Sequence, residues 1–266
     1  MALNIAVCLK VAPNPEQYSK ITLDPVTKTL VRAGIDSVIS STDLHALELA
    51  LQLKSKFGGK VTLISMGPPS NEKQLREGLS YGADAAVLLS DRRLGGADAL
   101  ATSYTLFKGI EKTGPYDLVL LGCISDDGST AHVPSQLGEW LKMPHLTDIV
   151  AFEAESESAA YAVKDIDGAM ARYKVALPAV IGVTKRLNTV RHPNVKDIFA
   201  AKKKPLAVLT ADDLQELDES RIGLAGSPTK AVGYLTADYH RECVEISGKP
   251  EEAAAELAKL LKTVCR

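Results

Sequence analysis

Between Asp117 and Leu141 the chain reads DLVLLGCISDDGSTAHVPSQLGEWL, and the residues in the middle of this stretch are of types that hold anions. Leu118 to Leu121 is a short apolar run of the kind that forms a parallel strand buried on both faces. Gly122 ends it. Ser125, Asp126, Asp127, Gly128, Ser129 and Thr130 follow, several of them side chains that compete for backbone amides. Val133, Leu137 and Trp140 or Leu141 then mark one face of a helix. A strand, a turn of small residues and a helix N-terminus make an anion site, because first-turn N–H groups have no intrahelical partner and point outward. Gly128 permits close backbone approach, and Ser129 and Thr130 can donate to a phosphate or cap the helix. An ordinary βα turn with a good helix cap would use the same residues, so the turn alone leaves both readings open.

The elements that must position this turn alternate between strand and helix. Asn4–Val11 predicts a strand, and ITLDPVTKTLV a hairpin turning near Asp24-Pro25. Asp36 to Asp43 leads into a helix capped by Ser41, Thr42 or Asp43, with Leu44, Leu47 and Leu51 on one face and Gly58-Gly59 as its stop. Lys60–Met66 predicts a strand, Asn71–Leu79 a helix and Ala85–Leu89 a strand; Asp98 then caps a helix running to about Lys112. The alternation predicts an α/β fold with a doubly wound, mainly parallel sheet. Such sheets bind ligands outside the carboxyl ends of their strands, near the point where strand order reverses. The loops Cys8–Pro13, Ser40–Asp43, Met66–Ser70 and Cys123–Thr130 would converge there, with Asp91–Ala97 close by. No G-x-G-x-x-G follows the first strand and no G-x-x-x-x-G-K-[ST] occurs, so a nucleotide would need another α/β binding mode.

The second half has another texture. Ile149–Glu153 and Ala159–Lys164 predict antiparallel strands, and Tyr173–Leu177 and Ala179–Thr184 another pair around Pro178. A basic stretch, TKRLNTVRHPNVKDIFAAKKKPL, predicts a loop with a short helix near Val195–Ala201. Helices are expected at Ala211–Leu217 and Glu251–Leu261, and Gly223–Tyr239 has little core pattern, which suits an arm lying on a partner chain or a loose tail. The expected division is an α/β domain over 1–209, with antiparallel additions at about 149–184, and a C-terminal arm and helix over 210–266.

A length of 266 residues and a mass of 28.4 kDa allow one large α/β domain, or a domain with an arm. A net charge of −2 argues against general attraction to nucleic acid or to an anionic membrane, and Lys202-Lys203-Lys204 lacks interleaved aromatics, so it suits a solvated face. No apolar run approaches the roughly 20 residues of a membrane span. The start, MALNIAVCLKV, lacks the basic region of a signal peptide. Cys8, Cys123, Cys243 and Cys265 show no paired spacing, so neither a metal site nor a disulfide framework is expected, and a reducing cytoplasm is the expected compartment.

Several stretches in one order carry a resemblance. VKDIDGAMARYKVALPAVIGVTKRLN followed by RHPNVKDIFAAKKKPL resembles the signature region of the electron transfer flavoprotein beta subunit. KITLDPVTKTLVRAG, ALELALQLK, SMGPPSNEKQLREGLSYGADAAVLLSD, GGADALATSYTL and the LLG…DDGST turn agree in order and spacing, most clearly over about residues 4 to 210. The resemblance implies the adenine-nucleotide alpha-hydrolase-like version of the α/β fold. It also implies an alpha-subunit partner that carries an FAD and against which the C-terminal arm packs. The beta subunit binds AMP in ordinary members and a second FAD in electron-bifurcating ones. Carried onto this chain, the nucleotide contacts would be Val7, Cys8 and Leu9; Ser40, Ser41 and Asp43; Met66 and Gly67; and Cys123, Asp127, Gly128, Ser129, Thr130, Ala131, His132, Val133, Ser135 and Gln136. Cys123 stands where relatives often carry Arg or Lys, which leaves one cationic contact open. His132-Val133-Pro134-Ser135 stands where they commonly have Gln-Val-Gly-Pro. His132 is expected to be a helix-surface hydrogen bonder and no catalytic acid, base or nucleophile is expected, since flavin chemistry needs none here.

DRRLGGADALATS, over Asp91–Ser103, resembles the bifurcating type, in which this loop lines the extra flavin ring through residues such as Gly96, Ala97 and Thr102. Gly95-Gly96 would let backbone approach a flat ring, and the helix opened by Asp98 would offer its N-terminal amides to a reduced flavin. The resemblance then implies hydride transfer from NADH to a beta-subunit FAD. One electron goes to ferredoxin or flavodoxin, and the other goes through the alpha-subunit FAD to a flavin-dependent dehydrogenase, acyl-CoA-specific or other. The alternatives are a non-bifurcating subunit that holds AMP structurally and a nucleotide sensor without redox chemistry. A pyrophosphatase would need a Ser-Gly-Gly-x-Asp-Ser loop after the first strand, which is missing. After RLN, relatives carry an exposed apolar anchor for the dehydrogenase; here that position falls to Val195, with Ile198 and Phe199 one turn further, unless Val195 packs on its own domain.

Overall fold

The computed structural model describes residues 2–23, 30–31, 34–156, 158–230 and 243–264. Its centre is a nine-stranded sheet flanked by helices on both faces, as the alternating pattern predicts. In chain order, β1 (Leu3–Cys8) is followed by the short pieces β2 (Val11–Pro13), β3 (Thr22–Leu23), β4 (Leu30–Val31) and β5 (Ser37–Ile39). The alternating part then runs α1 (Ser41–Phe57), β6 (Gly59–Met66), α2 (Glu72–Ser80), β7 (Ala85–Leu89), α3 (Ala99–Thr113), β8 (Leu118–Gly122) and α4 (Val133–Leu141). After it come β9 (His145–Ala154), β10 (Ala159–Ile166), β11 (Ala169–Ala176), β12 (Ala179–Val183), α5 (Val195–Ala201), β13 (Leu206–Leu209) and α6 (Pro250–Val264).

The sheet order is β11-β10-β9-β12-β8-β1-β6-β7-β13, parallel throughout from β9 to β13. The central strands are apolar on both faces, and each face has its own core. Ile5 and Val7 of β1 and Leu118 and Leu120 of β8 pack toward α1 and α2. Ala6 and Cys8, with Val119 and Leu121, pack toward α3 and α4. Burial of each such Leu or Val contributes about 1.5–3 kcal/mol, so the strand ends that frame the crevice sit on rigid supports. From β1 the chain winds outward through β6 to β7, then returns through α3 to β8 on the other side of β1. Strand order therefore reverses between β1 and β8.

The second half corrects one expected pairing. Residues 149–153 and 159–164 are antiparallel, as the sequence suggests. Ala179–Val183, however, does not pair with the strand before Pro178; β12 inserts in parallel between β8 and β9. Its five residues, AVIGV, are all buried, which is the composition of a central strand rather than of an edge hairpin. Residues 169–176 pair instead with β10 across Asp167-Gly168, where both φ angles are positive, 47° and 88°. The helix expected at Ala211–Leu217 is a single 3-10 turn, Ala211–Asp213. β3 and β4 pair as a hairpin, and its expected turn near Asp24-Pro25 lies outside the described residues.

One compact unit runs from Met1 to Val232 and a second from Gly233 to Arg266. Ile222 and Ser227 are each 3% exposed within that first unit. Gly233–Tyr239 lies outside the described residues. No helix among the described residues is long and apolar enough to cross a membrane.

Candidate functional site at the reversal of strand order

The crevice between β1 and β8 is fastened by one carboxylate. Asp43, 6% exposed on the first turn of α1, accepts the Lys10 N–H on one oxygen and the Gly122 N–H on the other, each at 2.7 Å. Burial pushes this carboxyl up to about 7, opposed by those two N–H groups. Thr42 donates its hydroxyl to the Ile124 carbonyl. Gly122 has no room for a side chain: a Cβ there would lie 2.2 Å from Thr42 Oγ1 and 2.9 Å from Asp43 Oδ1. Thus Asp43, expected to touch the ligand, has both oxygens turned inward onto the strand ends.

Cys123 to His132 form the turn above this floor. Asp126 reaches back to the start of α1, where its carboxylate accepts the Ser41 N–H at 2.9 Å and the Ser41 and Ser40 hydroxyls. The cap of α1 is therefore supplied from 85 residues away, rather than by Ser41, Thr42 or Asp43. Lys185 lies 3.5 Å from Asp126, and the Tyr18 hydroxyl donates to the Asp126 carbonyl. Burial would raise the Asp126 carboxyl, but the Ser41 groups and Lys185 hold it below its ordinary value. Asp127 has a simpler environment: it accepts Lys10 Nζ at 2.6 Å and its neighbour's Gly128 N–H.

Beyond Asp127 the turn is open. Gly128 through His132 are exposed, and a Cβ on Gly128 would meet nothing nearer than Ser125 Oγ at 3.6 Å and Lys10 Nζ at 3.7 Å. Ser129 and Ala131 hold positive φ, 48° and 56°, conformations that side-chain-bearing residues adopt at a cost of about 1–3 kcal/mol each and that cluster at ligand clamps. On the first turns of α4, Gln136 Oε1 is buried without a hydrogen-bond partner among the described residues. An open glycine, two left-handed residues and an orphaned acceptor fit a cradle for a polar ligand. His132 stands at the N-cap of α4 but makes no capping bond with its side chain.

The two buried thiols at the strand ends sit where the thiolate is disfavoured. Burial and the Asp43 charge push Cys8 far above the ordinary thiol range, and burial with the Asp148 charge pushes Cys123 to about 11, so both stay protonated near neutrality. No metal-holding group of His, Cys, Asp and Glu exists among the described residues.

Other expected contacts are spread along the same carboxyl edge. Val7, Cys8 and Leu9 end β1, and Met66 and Gly67 end β6, where Gly67 N–H bonds the Leu89 carbonyl. Gly96, Ala97 and Thr102 follow β7, three strand positions from β8, so about 14 Å separates the roots of the two loops at about 4.8 Å per strand. This second loop is not open. Leu224 N–H bonds the Gly95 carbonyl, and a Cβ on Gly96, whose φ is 74°, would sit 3.2 Å from Leu224 Cβ. Asp98 caps α3 as expected, yet its carboxylate takes the Leu100 and Ala101 N–H groups and, from afar, that of Thr229. Those amides, expected to face a reduced ring, are engaged by Asp98 itself.

Away from the crevice, Val195 is 70% and Phe199 63% exposed on α5, with Ile198 exposed beside them. Val195 does not pack on its own domain. Arg76 donates to the carbonyls of Ala201 and Lys204, and Lys204 to those of Leu79 and Ala83, which fixes α5 on α2. The loop before α5 is tied to α1 by Asn188 with His45 and by a two-pronged Arg191–Glu48 pair.

A family model described as the electron transfer flavoprotein domain matches residues 27–214. An electron transfer flavoprotein subunit beta of Thermoanaerobacterium thermosaccharolyticum is 41% identical over 98% of both chains. One of Clostridium acetobutylicum is 40% identical, again over 98% of both. Subunit CarD of the caffeyl-CoA reductase-Etf complex of Acetobacterium woodii is 39% identical over 86% of each chain.

Proposed function

The chain belongs to the electron transfer flavoprotein family, among its beta subunits, and from that membership we propose that it binds FAD in the crevice between β1 and β8 and works as the bifurcating kind. As a beta subunit it is one half of a pair with an alpha subunit, in a flavin-dependent electron transfer system. The observation that carries the reading is the open turn from Gly128 to His132, set above a rigid floor at the reversal of strand order. Ligands of doubly wound sheets sit at that place.

Three features of the chain support FAD over AMP. The Asp91–Ser103 loop resembles the bifurcating type. It stands about 14 Å along the sheet edge from the phosphate turn, a span that suits a dinucleotide better than a mononucleotide. The similarity to CarD, a subunit of a complex containing a reductase, agrees with a partner flavin dehydrogenase. FAD in this crevice would supply hydride acceptance from NADH and division of the electron pair between ferredoxin or flavodoxin and the alpha-subunit FAD.

The chain's own share is binding and positioning. The Cys123–His132 turn and the first turn of α4 hold phosphate and ribose through backbone N–H groups, Ser129, Thr130 and Gln136. The β1 and β6 ends floor the adenine side, and Gly96, Ala97 and Thr102 border the ring end. On α5, Val195, Ile198 and Phe199 form the apolar anchor for the dehydrogenase, an exposed cluster with a charged surround. Anaerobic addition of NADH to the purified alpha–beta pair tests the reading. Bleaching of flavin absorbance by NADH alone is expected; a flavin spectrum untouched by NADH would overturn it.

A further inference from the structure

Lys10 lies just past the end of β1, outside the set of contacts that the sequence singles out, yet its ammonium reaches the turn. Its backbone is fixed on both sides, the N–H by Asp43 and the carbonyl by the Ser40 N–H at 2.8 Å. Its side chain is 45% exposed and crosses to Asp127 Oδ1 at 2.6 Å and Ser125 Oγ at 3.3 Å. The same ammonium is 3.7 Å from where a Gly128 Cβ would stand, so it borders the open side of the turn. We propose that Lys10 is the cation that pairs with the nucleotide phosphates at this turn, and that Asp127 holds it in place until they arrive. The proposal rests on the reading of the crevice as an adenine-nucleotide site.

Charge and geometry select Lys10 over its neighbours. Cys123, at the position after the strand glycine, is a buried neutral thiol and supplies no charge. Among the described residues Lys185 also reaches the turn, but it lies 3.5 Å from Asp126, whose carboxylate is already committed to capping α1. Asp127 caps no helix: its carboxylate is bonded to Lys10, to the N–H of Gly128 and to the Ser125 side chain, all within the turn and its border. An ammonium, a backbone N–H and a hydroxyl are each groups that a phosphate oxygen would take. Burial would raise the Asp127 carboxyl, and the bond from Lys10 instead holds it below its ordinary value. An ammonium is a compact charge with three donors, so it can pass from carboxylate to phosphate without moving its backbone.

Calorimetry on the full alpha–beta complex, freed of bound nucleotide, separates the outcomes with adenosine, AMP and ADP as probes. Lys10→Met should weaken AMP and ADP about tenfold, the low end for a hydrogen bond to a charged group, and leave adenosine unchanged. Lys10→Arg should restore most of the loss. Asp127→Asn should tighten AMP by up to about fivefold, as expected for removal of a partly exposed competing charge. An equal loss for adenosine and AMP in Lys10→Met would assign Lys10 a packing role and overturn the proposal, as would no loss at all. A wild-type complex that binds none of the three probes would remove the crevice reading, and Lys10 with it.

Discussion

The two glycine-bearing loops on the carboxyl edge of the sheet are built in opposite ways. Around Gly128 the chain leaves space, holds Ser129 and Ala131 in left-handed conformations, and exposes five successive residues. Around Gly95-Gly96 it closes: Gly223 lies so near that its own Cβ would strike the Arg93 carbonyl, Leu224 covers Gly96, and Arg93 is bonded to Asp91, Asp212 and Glu219. Glycine serves access in the first loop and close packing of the chain on itself in the second. The lesson is that a glycine pair read as an approach for a flat ring can equally be a seat for the chain's own later segment. A ring bound at the second loop would lie against a braced wall, whereas a phosphate bound at the first would meet an open turn.

Gly122 and Gly128 break the comparison most sharply. At Gly122 a Cβ would press on Thr42 and Asp43, both held by hydrogen bonds and unable to give. Gly122→Val should cost about 3 kcal/mol or more in urea unfolding, at or beyond the upper end for overpacking, and should also lose the nucleotide. Gly128→Val should leave stability within about 0.5 kcal/mol, since nothing in the chain is displaced. It should nonetheless weaken nucleotide binding about a hundredfold or more, because a β-branched residue fills the open side. A full nucleotide complement in Gly128→Val would show that the turn faces no ligand.

Asp43 tests whether the floor is structural. Its carboxyl is near 7 when folded and about 3.9 when unfolded. A raised value means that its contribution is fully present below about pH 4 and is lost as pH rises through about 7. Asp43→Asn, neutral at every pH, should cost about 1–3 kcal/mol through one lost N–H acceptor. The gap to wild type should be wider at pH 5 than at pH 8 in urea unfolding. A gap that does not change with pH would mean that Asp43 does not titrate in this range.

In the closed loop, Gly96→Val should cost about 1–2 kcal/mol, because its φ of 74° disfavours a side chain and Leu224 crowds it. NADH oxidation should fall with it while the alpha-subunit flavin stays in place; unchanged NADH-driven ferredoxin reduction would separate this loop from the reacting ring. The smallest effect on the molecule itself belongs to Val195→Asp. At 70% exposure it should leave stability and flavin content unchanged, and slow only electron delivery to the partner dehydrogenase, measured with that partner against an artificial dye. Unfolding or loss of cofactor in this variant would contradict a docking role.

Much of this was legible in the chain. Apolar runs placed the four central strands, and Asp98 announced the start of α3 that the structure caps with its carboxylate. The Asp167-Gly168 dipeptide is a signal for the β10–β11 hairpin, since both positions adopt positive φ, and it marks that turn better than Pro178 does. What no local pattern carries is coupling across the sheet. Asp126 caps a helix 85 residues earlier, and Lys10 reaches a carboxylate 117 residues later. Both bonds exist only because the reversal of strand order brings the end of β1, the start of α1 and the turn after β8 to one place. The bracing of Gly95-Gly96 by residues near 224 is hidden for the same reason.

The central claim is that this subunit holds a flavin of its own in the β1/β8 crevice. Flavin and adenine nucleotide released from the co-expressed alpha–beta pair on denaturation, counted per pair, test it most directly. Two FAD and no AMP is the predicted result; one FAD with one AMP would contradict it.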